Sequence, residues 1–169
     1  MNALADRTGA ERAIDQLLAK LAGDIRSEVG PSGDRVPPAP PVRDLAEATV
    51  ALVTEAGCVP QGNPDRLPSR HANAWLRYPL VDVDAMDADA YQSVHAGFDT
   101  SAGNEDPNRL VPLDAVRGLE REGAFGRLHD AFFTTSGVDT PVATAATFGR
   151  EMAEELREAG VQAVILTGT

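Results

Sequence analysis

Two short, uninterrupted runs of branched apolar residues limit this chain's fold most: VALVT at residues 50–54 and AVIL at residues 163–166. Apolar runs of this length, bounded by turn residues, have the pattern of strands buried on both faces, and such strands belong to parallel sheets covered by helices. A helical signature precedes the second run. Thr140-Pro141 supplies an N-cap and a proline at the first helical position; Val142, Ala145, Phe148, Met152 and Leu156 then recur at helical spacing, and Gly160 ends the segment. AFFTT at residues 131–135 reads as the strand before that helix, so residues 132–166 form a strand, helix, strand unit with a right-handed crossover.

The predicted class is α/β, a single domain with a parallel, Rossmann-like sheet. A stretch rich in Pro, Gly, Asn and Asp interrupts it over residues 58–108, with a weaker strand signal at 75–83 and a short helix at 85–94. A helix is expected from Pro112 to Glu122, stopped by Gly123. Ahead of the domain, residues 1–22 contain an amphipathic helix whose stripe is Ile14, Leu17, Leu18 and Leu21, and residues 23–47 form a tether whose VPPAPP run excludes helix and central strand. The α/β domain is assigned to residues 48–169. After AVIL only Thr167-Gly168-Thr169 follow, where a parallel unit calls for a covering helix, so the fold reads as incomplete at its C-terminus. That end falls where open α/β sheets bind ligands, beyond the carboxyl ends of the strands.

Charge and composition remove several classes of function. A net charge of -11 works against a polyanionic partner, so no nucleic acid is expected. There is no apolar run of about 20 residues and no basic, apolar leader, so no membrane is expected either, and the expected location is cytoplasmic. Cys58 is the single cysteine, which excludes a disulfide or a thiolate metal cluster within the chain. Lys20 is the single lysine and lies on a helix-patterned segment, which argues against a Schiff-base role.

Among polar residues, His95 and Asp99 in VHAGFD form a pair in which a carboxylate could orient an imidazole for proton transfer; chance proximity is the alternative. The turn TTSGVDT at residues 134–140 joins a strand to a helix start, where free N–H groups could hold an anion such as a carboxylate, or serve only as a capped turn. Three loops should form the floor of a site: Thr54 to Gly57, Thr134, Thr135 and Gly137, and Thr167 to Thr169. Cys58 sits at a strand end and reads as a small buried side chain or, alternatively, a redox thiol. His71 and His129 are too scattered from His95 for a metal site. The acidic stretch from Asp82 to Asp89 fails as a calcium loop, with Asp87 where glycine is needed and Ser93 where the bidentate glutamate belongs.

Read as strings, GAERAIDQLLAKL, DRVPPAPPVRDL, VALVTEAGCVPQGNPDRLPS, HAGFD, NEDPNRLVPLD, LEREGAFGRLHDAFFTTSG and FGREMAEELREAGVQAVILT resemble, in the same order, component B of the glycine, sarcosine and betaine reductases. The related D-proline reductase subunit is similar from about Pro40 onward. The resemblance implies an oxidoreductase that cleaves an activated C–N bond of glycine, sarcosine, betaine, D-proline or a related amine. It implies no cofactor in this chain, a pyruvoyl group on a partner subunit, and a selenocysteine directly after Thr169. Thiols return the electrons through a selenoprotein A-like or thioredoxin-like carrier. On this reading His95 is a proton donor or substrate contact and Asp99 its orienting carboxylate, with Asp106 and Asp114 as structural or amine contacts. The family pattern GGYD stands where this chain has Ala96-Gly97-Phe98-Asp99, so a phenol hydroxyl is lost at Phe98. Two other classes remain open: a noncatalytic scaffold that holds a pyruvoyl partner, and a redox protein that relies on Cys58. The coding sequence is expected to continue in frame through UGA into a Cys-containing segment. Sequencing past the codon for Thr169 checks this, and a UAA stop with no family-like frame beyond it would refute it.

Overall fold

A computed structural model describes residues 6–24 and 36–169. The chain divides into two units, Met1–Pro40 and Pro41–Thr169. Within the first, α1 (Gly9–Leu21) opens with a capping box: Thr8 accepts from the Glu11 N–H while Glu11 accepts from the Thr8 N–H at 2.8 Å. Its apolar stripe of Ile14, Leu17, Leu18 and Leu21 is exposed. The expected tether falls partly on residues 25–35, outside the described residues; residues 36–42 have neither helix nor strand pattern and are exposed.

The second unit is built on a four-stranded sheet. In chain order its elements are β1 (Thr49–Thr54), β2 (Cys58–Pro60), β3 (Leu76–Pro79), β4 (Tyr91–Ser93), α2 (Ser101–Glu105), α3 (Leu113–Arg121), β5 (Arg127–Thr134), α4 (Val142–Glu158) and β6 (Ala163–Thr167), with a 3-10 turn at Pro107–Arg109. The sheet order is β3-β5-β1-β6, and β2 pairs with β4 in a separate ribbon. β1 runs parallel to both β5 and β6, with Thr54 opposite Thr134 on one side and Thr167 on the other. The three expected strands therefore end on one edge. β3 is antiparallel to β5, so the sheet is mixed rather than wholly parallel. Pro79 closes β3 at the sheet's edge, where the missing N–H costs no ladder bond, and the strand is shorter than the 75–83 expected.

Alternation along the strands separates two apolar layers. Val50, Leu52, Leu128 and Phe132 face Cys58, Val59, Leu80, Val111, Leu113 and Val116, while Ala51 and Phe133 face Phe148, Met152 and Leu156 of α4. Single-layer burial would not explain why both parities of β1 are apolar; helices and loops cover both sides.

Four further expectations need correction. β6 is an edge strand and not a buried one: Val164 and Leu166 are 48% and 69% exposed, and neither joins the apolar layer that contains Phe148, Met152 and Leu156. Residues 85–90 form turns and 91–93 a strand, not a helix, since Asn108 accepts from the Met86 N–H at 2.9 Å and donates to its carbonyl at 3.0 Å, and Asp87 accepts from the Asp89 N–H at 2.8 Å. Aspartates in this segment compete for the N–H groups a helix would use. Thr140 does not cap α4: its hydroxyl donates to the Ser136 carbonyl at 2.9 Å and accepts from the Ala72 N–H at 3.0 Å, and the helix has no side-chain cap bond. β5 begins at Arg127 rather than residue 131, with a bulge that lets Leu128 pair with Val50 and Phe132 with Leu52. No helix among the described residues is long and apolar enough to cross a membrane.

A polar clamp fastens α3 to β5. Glu120 accepts from the Leu128 N–H and from Arg117, both at 2.7 Å, and Arg117 also donates to the Leu80 carbonyl at 2.8 Å and the Val83 carbonyl at 3.2 Å. Burial alone would raise the Glu120 carboxyl; the Leu128 and Arg117 bonds outweigh it and hold the group below its ordinary value of 4.5. A depressed carboxylate stabilises the fold above its unfolded pKa and loses that contribution as pH falls through its folded pKa. Glu120→Gln should therefore cost about 1–3 kcal/mol at pH 7, and less at an acid pH below the carboxyl's lowered folded pKa, where Glu120 is itself protonated. Urea unfolding of both proteins at the two pH values measures it; an equal difference at both would refute the carboxylate's role.

Candidate functional site

The carboxyl ends of β1, β5 and β6 turn into three loops that bond to one another. The Thr135 N–H donates to the Thr54 carbonyl at 3.1 Å, the Gly137 N–H to the Glu55 carbonyl at 3.1 Å, and the Glu55 N–H to the Thr167 carbonyl at 3.2 Å. The loop after β1 does not lead into a helix. Gly57 takes a φ of +62°, open to glycine at no steric cost, and reverses the chain into β2.

This reversal delivers His95. Cys58 pairs with Ser93 across the β2–β4 ribbon, and the Val94 N–H donates to the Gly57 carbonyl at 3.0 Å. The Ser93 hydroxyl donates to the Ala56 carbonyl at 2.7 Å and accepts from the His95 N–H at 3.2 Å. The imidazole thus lies beneath the strand ends with its side chain 5% exposed, while the side chain of Glu55, whose Oε2 is 3.3 Å from His95 Nε2, is 31% exposed. Glu55 Oε1 accepts from the Thr169 N–H at 2.6 Å and from its hydroxyl at 2.7 Å. Gly97 and Gly137 leave the room: a Cβ at Gly97 would be 2.7 Å from His95 Cε1, and one at Gly137 1.9 Å from Glu55 Oε2.

The carboxylate beside His95 is Glu55, not Asp99. Asp99 accepts instead from the Ser101 hydroxyl at 2.7 Å and the Ser101 N–H at 3.0 Å, bonds that hold its carboxyl below the usual range. Asp106 caps the 3-10 turn, accepting from Asn108 Nδ2 at 3.0 Å and the Asn108 N–H at 3.1 Å, and its carboxyl is lowered for that reason. Asp114 is exposed and accepts from the Ala115 N–H at 2.7 Å. Thr54 accepts from the Ala56 N–H at 3.2 Å, Thr135 donates to the Ala74 carbonyl at 3.0 Å, and Thr167 donates to the Leu110 carbonyl at 2.6 Å. Thr134 is buried, and its hydroxyl has no hydrogen-bond partner among the described residues. The 134–140 turn spends its N–H groups at 135, 137 and 140 on backbone carbonyls of Thr54, Glu55 and Gly137, which opposes the expectation of an anion cradle there. Among the described residues no group of three or more His, Cys, Asp or Glu could hold a metal ion.

Glu55 is the residue that sequence reasoning missed as a side chain. It lies 40 positions from His95, and the available signal was a single acidic residue directly after a buried strand, opposite a glycine-bearing βα turn.

The profile of the glycine/sarcosine/betaine reductase selenoprotein B family matches residues 1–169. The chain belongs to this family. It is 44% identical over 170 residues to the glycine reductase complex component B subunit gamma of Carboxydothermus hydrogenoformans, covering 99% of this chain and 39% of that protein. With the sarcosine reductase complex component B subunit beta of Peptoclostridium acidaminophilum it shares 45% identity over 166 residues, 97% of this chain and 38% of the relative. The D-proline reductase subunit gamma of Acetoanaerobium sticklandii is 34% identical over 138 residues, 76% of this chain and 51% of that protein. The chain thus spans about two fifths of the length of its glycine and sarcosine reductase relatives. No solved structure matches.

Set against the family strings, NEDPNR is a structural motif in this chain, ending α2 and capping the 3-10 turn, whereas the residues that meet at the strand ends come from EAG, HAG and TSG. Phe98 packs its ring against His95 at 5.1 Å between centroids. Cys58 is fully buried, and burial pushes its thiol up to about 12. A thiol so placed is neither ionised nor accessible at neutral pH. Ellman's reagent should therefore label no cysteine in the native chain at pH 8 and one per chain in guanidinium; rapid native labelling would overturn this.

Proposed function

We propose that this chain supplies one wall of the active site in a reductase complex that reductively cleaves the C–N bond of glycine, sarcosine, betaine, D-proline or a related amine. The observation that carries the reading is the buried His95, paired with Glu55 at the edge where three parallel strands end. Family membership narrows the chemistry, since relatives are components of glycine, sarcosine, betaine and D-proline reductase complexes.

The selenocysteine implied after Thr169 fits the chemistry of this corner. Thr169 is bonded through its N–H and hydroxyl to the same carboxylate that faces His95, so its own backbone lies beside a proton-bearing ring. A selenol there, ionised at neutral pH, would supply the nucleophile for the carbon bearing nitrogen, and a pyruvoyl group on a partner subunit would supply the electrophile. The chain's own residues handle the proton. The His95 ring, with Nε2 3.3 Å from Glu55 Oε2, carries a proton to give, and an amine leaving from carbon needs one proton on nitrogen. The loops from β1, β5 and β6 limit water around the ring, which is nearly closed to solvent. The buried Cys58 weighs against the redox-thiol alternative.

The 169-residue chain alone should reduce no amine, whatever thiol is supplied. In a complex restored with the selenocysteine segment, a pyruvoyl subunit and an electron carrier, His95→Ala should lower turnover about a hundredfold or more. His129→Ala should change it little, since His129 packs against Phe133 on the α4 side of the sheet. Equal behaviour of the two variants, or unaided turnover by the bare chain, would overturn the proposal; retained complex assembly with no effect of either would favour the scaffold reading.

A further inference from the structure

Both ring nitrogens of His95 meet backbone donors. The Gly97 N–H lies 3.1 Å from Nδ1 and the Val138 N–H 3.2 Å from Nε2, where Glu55 Oε2 also sits at 3.3 Å. A neutral imidazole has one bare nitrogen and one N–H, so it cannot accept from both. The two tautomers are therefore in competition, and the surroundings decide between them.

With the proton on Nε2, the ring donates to the Glu55 carboxylate and accepts from Gly97, one of the two bonds charge-assisted, and turns its N–H toward the Val138 N–H, which loses its acceptor. With the proton on Nδ1, the ring accepts from Val138 alone, turns an N–H against the Gly97 N–H, and points a bare lone pair at a carboxylate oxygen. Hydrogen bonds to a charged group are about twice as strong as neutral ones, so the carboxylate tips the balance. Its position is prepared from three sides. The Thr169 N–H and hydroxyl hold Oε1, the absent side chain of Gly137 leaves space for Oε2, and the absent side chain of Gly97 leaves space for the ring.

We propose that Glu55 is a positioning residue that fixes His95 as its Nε2–H tautomer and ties that proton to the backbone at Thr169. The assignment of a role to that proton rests on the reductase reading above; the tautomer itself does not. In the first tautomer the proton faces the strand-end site through Glu55, and in the second it is turned to the 96–97 backbone. Sequence spacing carries none of this, because Glu55, His95, Gly137 and Thr169 come from four separate segments.

Long-range imidazole 15N–1H correlation spectra of the 169-residue chain, at a pH where its three histidines are neutral, read the tautomer directly, with His95→Gln assigning the signal. The expected wild-type pattern is Nε2–H. Glu55→Gln should raise the ratio of Nδ1–H to Nε2–H about tenfold or more, the size expected when a charge-assisted bond is lost. Gly137→Ala keeps the carboxylate but displaces it, and should shift the ratio in the same direction. An Nδ1–H pattern in the wild-type chain overturns the proposal without any variant, and so does an unchanged ratio in folded Glu55→Gln and Gly137→Ala chains. A tautomer shift in the chain combined with full turnover by His95→Ala in the restored complex would sink the reductase role and leave the Glu55 assignment standing.

Discussion

Parallel pairing on both edges of β1 is the constraint on which the rest of the domain depends. A strand bonded on both sides satisfies its backbone N–H and C=O groups away from water, which allows residues 50–52 to be apolar on both faces. Because both neighbours run parallel to it, Thr54, Thr134 and Thr167 reach the same edge in register. The loops that follow must then share a small volume, and they do so by bonding backbone to backbone across strands that are distant in sequence. An antiparallel neighbour would have sent one of those loops to the opposite edge.

That crowding explains the residue types at the strand ends. A partly buried carboxylate loses hydration and needs donors in exchange. Glu55 finds them in Thr169 and in the ring of His95, and its reach requires that the neighbouring loop present a glycine at 137. His95 in turn is seated by Ser93 and by the reversal at Gly57, so the site is held from the β2–β4 ribbon as well as from the sheet. Residues with no direct part in chemistry, Ser93, Gly97 and Gly137, thereby set the geometry of those that could have one.

Particular residues show what was legible and what was not. VALVT read as a buried strand because continuous branched apolar residues fit a surface covered on both sides, and it is the central strand. AVIL carried the same pattern and gave the wrong burial, because strand order and not composition decides which strand lies at an edge. The aspartates of residues 82–89 masked a turn as a helix start, since their side chains satisfy N–H groups locally. Asp99 is four positions from His95, a spacing that places side chains together on a helix; the segment between them is not helical, and the aspartate serves Ser101.

By itself the sequence determined the α/β class, the strand, helix, strand unit ending in AVIL, the family through strings such as GNPDR and NEDPNR, and the common edge at which β1, β5 and β6 end. These follow from local periodicity, from the handedness of parallel connections and from residue order, all of which are written along the chain. Only the tertiary structure decided that Glu55 and not Asp99 faces His95, that Cys58 is buried, and that β6 is an edge. Each of those depends on which distant segments share a volume. Hydrogen-bond partners 40 or 114 positions apart are chosen by packing and strand register, and neither is encoded in the spacing of the residues that use them.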